Sequence, residues 1–171
     1  MKRLFFPKKL VVPAIPDSLP IIRNFISQVG NRYRFSQHEI NAFKISIDEA
    51  CTNIIKHGYK NIHPPGNITM KVFVNQDRLI VELIDQGKSF DPGRVGNPNV
   101  ARYVENGRKG GLGIYIMRKF LDAIEYEVTG IGNVLRLTKL RENRVTRPFI
   151  FPLISIFRRF KENLFLNREL S

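Results

Sequence analysis

Cysteine is nearly absent from this sequence: Cys51 stands alone among 171 residues. A lone thiol forms no internal disulfide and has no second Cys with which to build a metal site, so a reducing compartment fits best. Long apolar runs are missing as well. The longest, residues 149–157, is interrupted by Pro152 and falls far short of the ~20 residues that a spanning helix needs. The N-terminus starts basic, but Pro7, Lys8 and Lys9 break its apolar stretch, so no signal peptide is expected and a soluble, cytoplasmic protein is. Acidic side chains are scarce, 15 Asp and Glu against 28 Lys and Arg, which leaves a net charge of +13. Such a field favours anionic partners without naming one. A basic surface alone is poor evidence for nucleic acid, and no direct nucleic-acid contact is expected. The rest is ordinary: 43% apolar and 25% charged residues, in a chain long enough for one buried core.

The pattern along the chain alternates strands and helices. Residues 10–15 form a short β-branched run closed by Pro13 and Pro16, the mark of an edge strand. Asp17 or Ser18 then caps a helix with Leu19, Ile22, Phe25, Ile26 and Val29 on one side, ending near Gly30. Ser36 and Glu39 have capping-box spacing. They open a second helix with Ile40, Phe43, Ile47, Ala50, Cys51 and Ile54 on one stripe, ending at Gly58. A Pro-Pro-Gly-Asn turn leads to a hairpin of strands 68–74 and 78–84. Pattern is lost over residues 86–109, a loop whose length points to function or mobility. A glycine cluster then starts a third helix through Ile114, Met117 and Leu121, and strands 123–129 and 133–140 follow.

Three features carry possible chemistry. On the second helix Ser46, Glu49, Asn53 and His57 follow one ridge at three- and four-residue steps. Most such ridges are solvated polar faces. Asn53, however, is a poor helix former placed mid-helix, and one turn before it Glu49 supplies a carboxylate; together they offer a base and a hard oxygen ligand suited to Mg²⁺. The second feature is Asp85-Gln-Gly87 at the end of an apolar strand. An Asp there can accept from an exocyclic amine, while a plain turn has the same composition. The third is Gly110-Gly111-Leu112-Gly113 at a helix start, where uncovered N–H groups cradle phosphate. It is neither a Walker A loop nor a dinucleotide fingerprint. Each alone has a plainer reading.

In this order the three resemble the motifs of the GHKL ATP-binding superfamily. Glu49-Ala-Cys-Thr-Asn53-Ile-Ile-Lys56-His57-Gly58-Tyr59 looks like its N box. Asp85-Gln-Gly87-Lys-Ser-Phe90-Asp91 and Gly110-Gly111-Leu112-Gly113-Ile-Tyr-Ile-Met look like its two glycine boxes. The wording is most similar to the bacterial anti-sigma-factor serine/threonine-protein kinases, over roughly residues 10–140. The resemblance implies a two-layer α/β sandwich of the Bergerat type, with a mostly antiparallel mixed sheet, helices on one face and a mobile ATP lid. It implies Glu49 as general base, Asn53 as Mg²⁺ ligand and Asp85 as acceptor for the adenine amine. Gly87, Gly110, Gly111, Leu112 and Gly113 would line ATP, with Phe90 and Lys109 at the ends of the lid and Lys56 and His57 near the phosphates. Where the family often has Thr after the glycine before its last strand, this chain has Asn133, a different neighbour for the base.

By the same resemblance the substrate is a small anti-sigma antagonist protein, the second partner is a sigma factor, and the chain is a homodimer. An ATP-gated binding module without phosphoryl transfer is the alternative. The kinase domain is taken as residues 1–140 and the remainder, 141–171, as a basic extension. There Leu153, Ile154, Phe157, Phe160 and Leu164 fall at helical spacing among Arg and Lys. That helix would pack on protein or, in the alternative, make peripheral contact with an anionic membrane.

Overall fold

The computed structural model describes residues 7–89 and 113–142. Residues 90–112 and 143–171 lie outside it, and with them the sites expected at Phe90, Lys109, Gly110, Gly111 and Leu112, the ATP lid beyond Ser89, and nearly all of the basic extension.

Strand β1 (Lys8–Pro13) is followed by a short 3₁₀ turn and helix α1 (Leu19–Arg32), then by α2 (Gln37–Asn53). The hairpin β2 (Asn67–Val74) and β3 (Arg78–Asp85) comes next, then α3 (Gly113–Phe120), β4 (Ala123–Thr129) and β5 (Gly132–Leu140). The sheet order is β1-β2-β3-β5-β4, which leaves β1 as an edge strand. The sequence leads one to expect a mostly antiparallel sheet; among the described residues every pairing is antiparallel.

Alternation sets the layers. Ile68, Met70, Val72 and Val74 of β2 and Leu79, Val81 and Leu83 of β3 are buried in one core with Ile22 and Ile26 of α1, Phe43 and Ile47 of α2, and Met117 of α3. On the opposite sheet face Lys71, Glu82, Arg136 and Glu125 stand in one cross-strand row of alternating charge. Arg136 donates twice to Glu82 Oε1, at 2.8 and 3.1 Å, and that bond raises its pKa above the usual arginine value.

Two helix ends decide where the site falls. The Ser36–Glu39 capping box forms in full: Glu39 N–H donates to Ser36 Oγ at 3.1 Å and Ser36 N–H donates to Glu39 Oε2 at 2.6 Å. It starts α2 beside the end of β5, so α2 runs the length of the sheet and finishes near the end of β3. Helix α1 does not stop at Gly30 but continues to Arg32. Gly30 serves packing instead, since a Cβ there would lie 2.6 Å from Ile40 Cγ1 on α2. Arg141 and Glu142, placed by sequence in the extension, are tied to the domain. The Arg141 guanidinium stacks 4.1 Å from the Phe35 ring and donates to the carbonyls of Tyr33 and Arg34, and Glu142 N–H donates to Glu39 Oε1 at 2.7 Å.

Candidate functional site

The site starts from a register. Antiparallel pairing sets Asp85, the last residue of β3, directly opposite Asn133 near the start of β5. Both side chains are buried, at 6% and 4% exposure. Asn133 Nδ2 donates to Asp85 Oδ1 at 3.1 Å and to the Gly87 carbonyl at 2.9 Å. The Asn133 oxygen accepts from Ser89 Oγ at 2.9 Å and from Tyr126 Oη at 3.0 Å. Gly87 N–H also donates to Asp85 Oδ1, at 2.8 Å. Among the described residues both hydrogen bonds to the Asp85 carboxylate thus fall on Oδ1, and no donor reaches Oδ2.

Helix α2 ends against this turn. Its regular hydrogen bonding stops at Asn53 and the chain widens into a π turn over Ile54–Gly58, closed by Tyr59 N–H donating to the Ile54 carbonyl at 3.1 Å. Single π turns of this kind are frequent at functional sites. The widened turn brings the Gly58 backbone onto Gly87, where an added Cβ would stand 2.7 Å from Gly58 C and O, so only glycine fits at position 87. Lys88 N–H donates to the Gly58 carbonyl at 2.8 Å and fastens the contact. Tyr59 Oη accepts from Gln86 N–H at 2.9 Å. Burial pushes the Tyr59 phenol above its ordinary pKa; the Gln86 bond opposes the shift and the Asp85 charge adds to it. Gly132 adopts φ +122°, beyond easy reach of other residues, and a Cβ there would strike the Asp85 carbonyl.

An open cleft of ≈ 430 Å³ results, walled by Ala50, Asn53, Ile54, Gly58, Asp85, Lys88, Met117, Tyr126, Asn133 and Leu135. Ala50, Ile54, Met117 and Leu135 make its apolar lining, and Asp85 and Asn133 stand together among its polar groups. Glu49 lies one turn before Asn53. A Cβ added to Gly113, the first residue of α3, would meet Glu49 Oε2 at 2.6 Å, so the α2 carboxylate rests against the start of α3.

The fold therefore draws together Glu49, Asn53, Asp85, Gly87, Gly113 and Asn133. Lys56 and His57 are exposed on the π turn and do not line the cleft. Ser46, expected on the solvated ridge, is instead fully buried, and its hydroxyl has no hydrogen-bond partner among the described residues. Helix α2 packs against both α1 and α3, leaving less of its surface to water than a helical wheel suggests. Sequence reading missed Lys88, Tyr126 and Leu135. Lys88 is adjacent to Gly87 and was within reach of a motif argument; Tyr126 is brought in only by strand pairing. Cys51 is fully buried, and burial raises its thiol pKa well above the usual range, with the Asp48 and Asp85 charges adding to the shift.

Comparison with known proteins gives the class. Residues 12–139 match the histidine kinase-like ATPase domain, so the chain belongs to that family and uses ATP. Within it, the chain is similar to the serine-protein kinase RsbW of Bacillus licheniformis, 32% identical over 150 residues, covering 85% of this chain and 92% of the relative. RsbW of Bacillus pumilus is 34% identical over 143 residues, covering 80% and 88%. RsbW of Bacillus subtilis is 34% identical over 123 residues, covering 70% and 76%. A crystal structure of the RsbU and RsbW domains of a Mycobacterium tuberculosis protein shares the fold, with a TM-score of 0.56 at 14% identity. The match covers 80% of this chain and a third of that one, 33%.

Proposed function

We propose that this chain is an ATP-dependent protein kinase that transfers phosphate to a serine or threonine of a small antagonist protein, and that it also sequesters a sigma factor. The observation that carries the reading is the placement of Glu49: its carboxylate lies against the first residue of α3, one helical turn from Asn53 and along the same helix wall as the adenine end of the cleft. A pure binding module has no use for a base at that point.

In this reading Asp85 Oδ2 accepts from the adenine amine, and the apolar wall of Ile54, Met117 and Leu135 covers the ring. The phosphates then extend toward Gly113 at the start of α3, where helix N–H groups favour negative charge. Glu49 takes the proton of the attacking hydroxyl. Asn53, half-buried at the end of α2, fits Mg²⁺, which needs only one or two protein oxygens when phosphates and water complete its shell. Held by Asn53, Mg²⁺ would supply neutralisation of the phosphate charge; the remaining contribution of the protein is positioning. The reading extends to a homodimer in the cytoplasm. Among the described residues no helix is long and apolar enough to cross a membrane.

Purified protein incubated with ATP, Mg²⁺ and a candidate antagonist should add one phosphate to the antagonist, read by intact mass. Glu49→Gln should slow the transfer ~10²–10⁴-fold while ATP affinity stays within a few-fold, the usual range for loss of a general base. Transfer that persists undiminished in Glu49→Gln removes Glu49 from that role, and ATP-dependent partner binding without any transfer assigns a nucleotide-gated binding module instead.

A further inference from the structure

We infer that Asn133 is a positioning residue for base selection, which clamps Asp85 and makes no contact with the base itself. This rests on the reading of the cleft as an adenine site. The amide orientation is fixed by chemistry: the Asp85 carboxylate and the Gly87 carbonyl only accept, so they face the NH₂ group, and the two hydroxyls of Ser89 and Tyr126 face the oxygen. A primary amide has two N–H donors and room for two acceptor bonds. All four are used inside the protein, in a side chain 4% exposed. Asn133 therefore has nothing left to offer a purine, although it lines the cleft.

What it does instead is decide which oxygen of Asp85 the ligand meets. With Gly87 N–H and Asn133 Nδ2 both on Oδ1, the carboxylate cannot rotate without losing two bonds, and Oδ2 is left as the oxygen of this cleft-lining residue that no described donor occupies. An acceptor fixed in place welcomes a 6-amino purine and repels a 6-oxo purine, whose carbonyl would face it. Base discrimination thus depends on residues that never touch the base: Asn133 on Asp85, and Tyr126 with Ser89 on Asn133.

The test measures affinities of the full chain for ATP and for inosine triphosphate, which differ at this position by an amine against a carbonyl. Wild type should prefer ATP. Asn133→Asp, nearly the same size, removes the donors and should weaken ATP about tenfold or more while leaving inosine triphosphate little changed, so the preference collapses. Tyr126→Phe removes one bond to the Asn133 oxygen without opening a cavity, and should lower the ATP preference about two- to tenfold in a chain that still folds. Equal loss for both nucleotides in the two variants would make Asn133 merely structural and overturn the inference. Wild-type protein with no preference for ATP would overturn the adenine reading of Asp85 itself, a separate and recognisable failure.

Discussion

At the end of the sheet where β5 runs out, Glu39 is 2% exposed and spends both carboxylate oxygens on backbone N–H groups, Ser36 on Oε2 and Glu142 on Oε1. At the other end Asp85 is 6% exposed and receives both of its hydrogen bonds on Oδ1. The two acids lie along opposite ends of the same helix layer, and their burial is nearly equal. They differ in the oxygen left over. Glu39 has none, and it joins the start of α2 to the end of the last strand. Asp85 lines a cleft and has one oxygen that no described donor reaches. A buried carboxylate with both oxygens bonded to protein is a fastening, whereas one held by a single oxygen can serve as a binding group.

Substitutions at the two ends of the helix layer separate the two roles. Glu39→Ala leaves two backbone donors without their acceptor and should destabilise the protein by about 2–4 kcal/mol in chemical denaturation, with ATP affinity of the folded fraction unchanged. Asp85→Asn should show the reverse pattern. Its amide oxygen can remain on the Gly87 and Asn133 donors, which turns its NH₂ toward the cleft against the adenine amine. ATP affinity by calorimetry should fall about 10–100-fold with little change in stability, and inosine triphosphate should bind as well as ATP or better. Arg141→Ala, at the fastened end, removes the stack on Phe35 and bonds to two carbonyls, and should lower stability by about 1–2 kcal/mol without touching nucleotide affinity.

The smallest effect is one of pH. Cys51 and Tyr59 are both held protonated by burial, with pKa values above the ordinary 9.0 and 10.0. The unfolded chain releases these protons first, so the folded state binds more of them and stability falls as pH rises above about 9. It is fully present below that value. Cys51→Ala should flatten the first part of the decline in denaturation curves taken across alkaline pH.

Much of the fast-to-read structure follows from local rules. The capping box, the β2–β3 hairpin and strand β4 over Ala123–Thr129 need only neighbours in sequence, and they form where the pattern puts them. The pairing of Asp85 with the Gly58 end of α2 was legible as motif order. The π turn was not, because it accompanies the close meeting of Gly58 with Gly87, which lies far off along the chain. Ser46 misled for a related reason: helical spacing places it beside Glu49 and Asn53, but two neighbouring helices cover α2 and bury it. Asn133 was legible as a candidate site residue, and it does line the cleft, but its hydrogen bonds to Asp85 and Gly87 were not. Its partners come from β3, β4 and the turn after Asp85, and only strand register brings those together.

The account depends most on Asp85 offering Oδ2 to an adenine. A crystal structure of the chain with a non-hydrolysable ATP analogue tests that claim directly. The adenine amine should lie ~2.7–3.2 Å from Asp85 Oδ2, with Oδ1 still held by Gly87 N–H and Asn133. An adenine amine that meets no atom of Asp85, or a base seated outside the cleft, would contradict it.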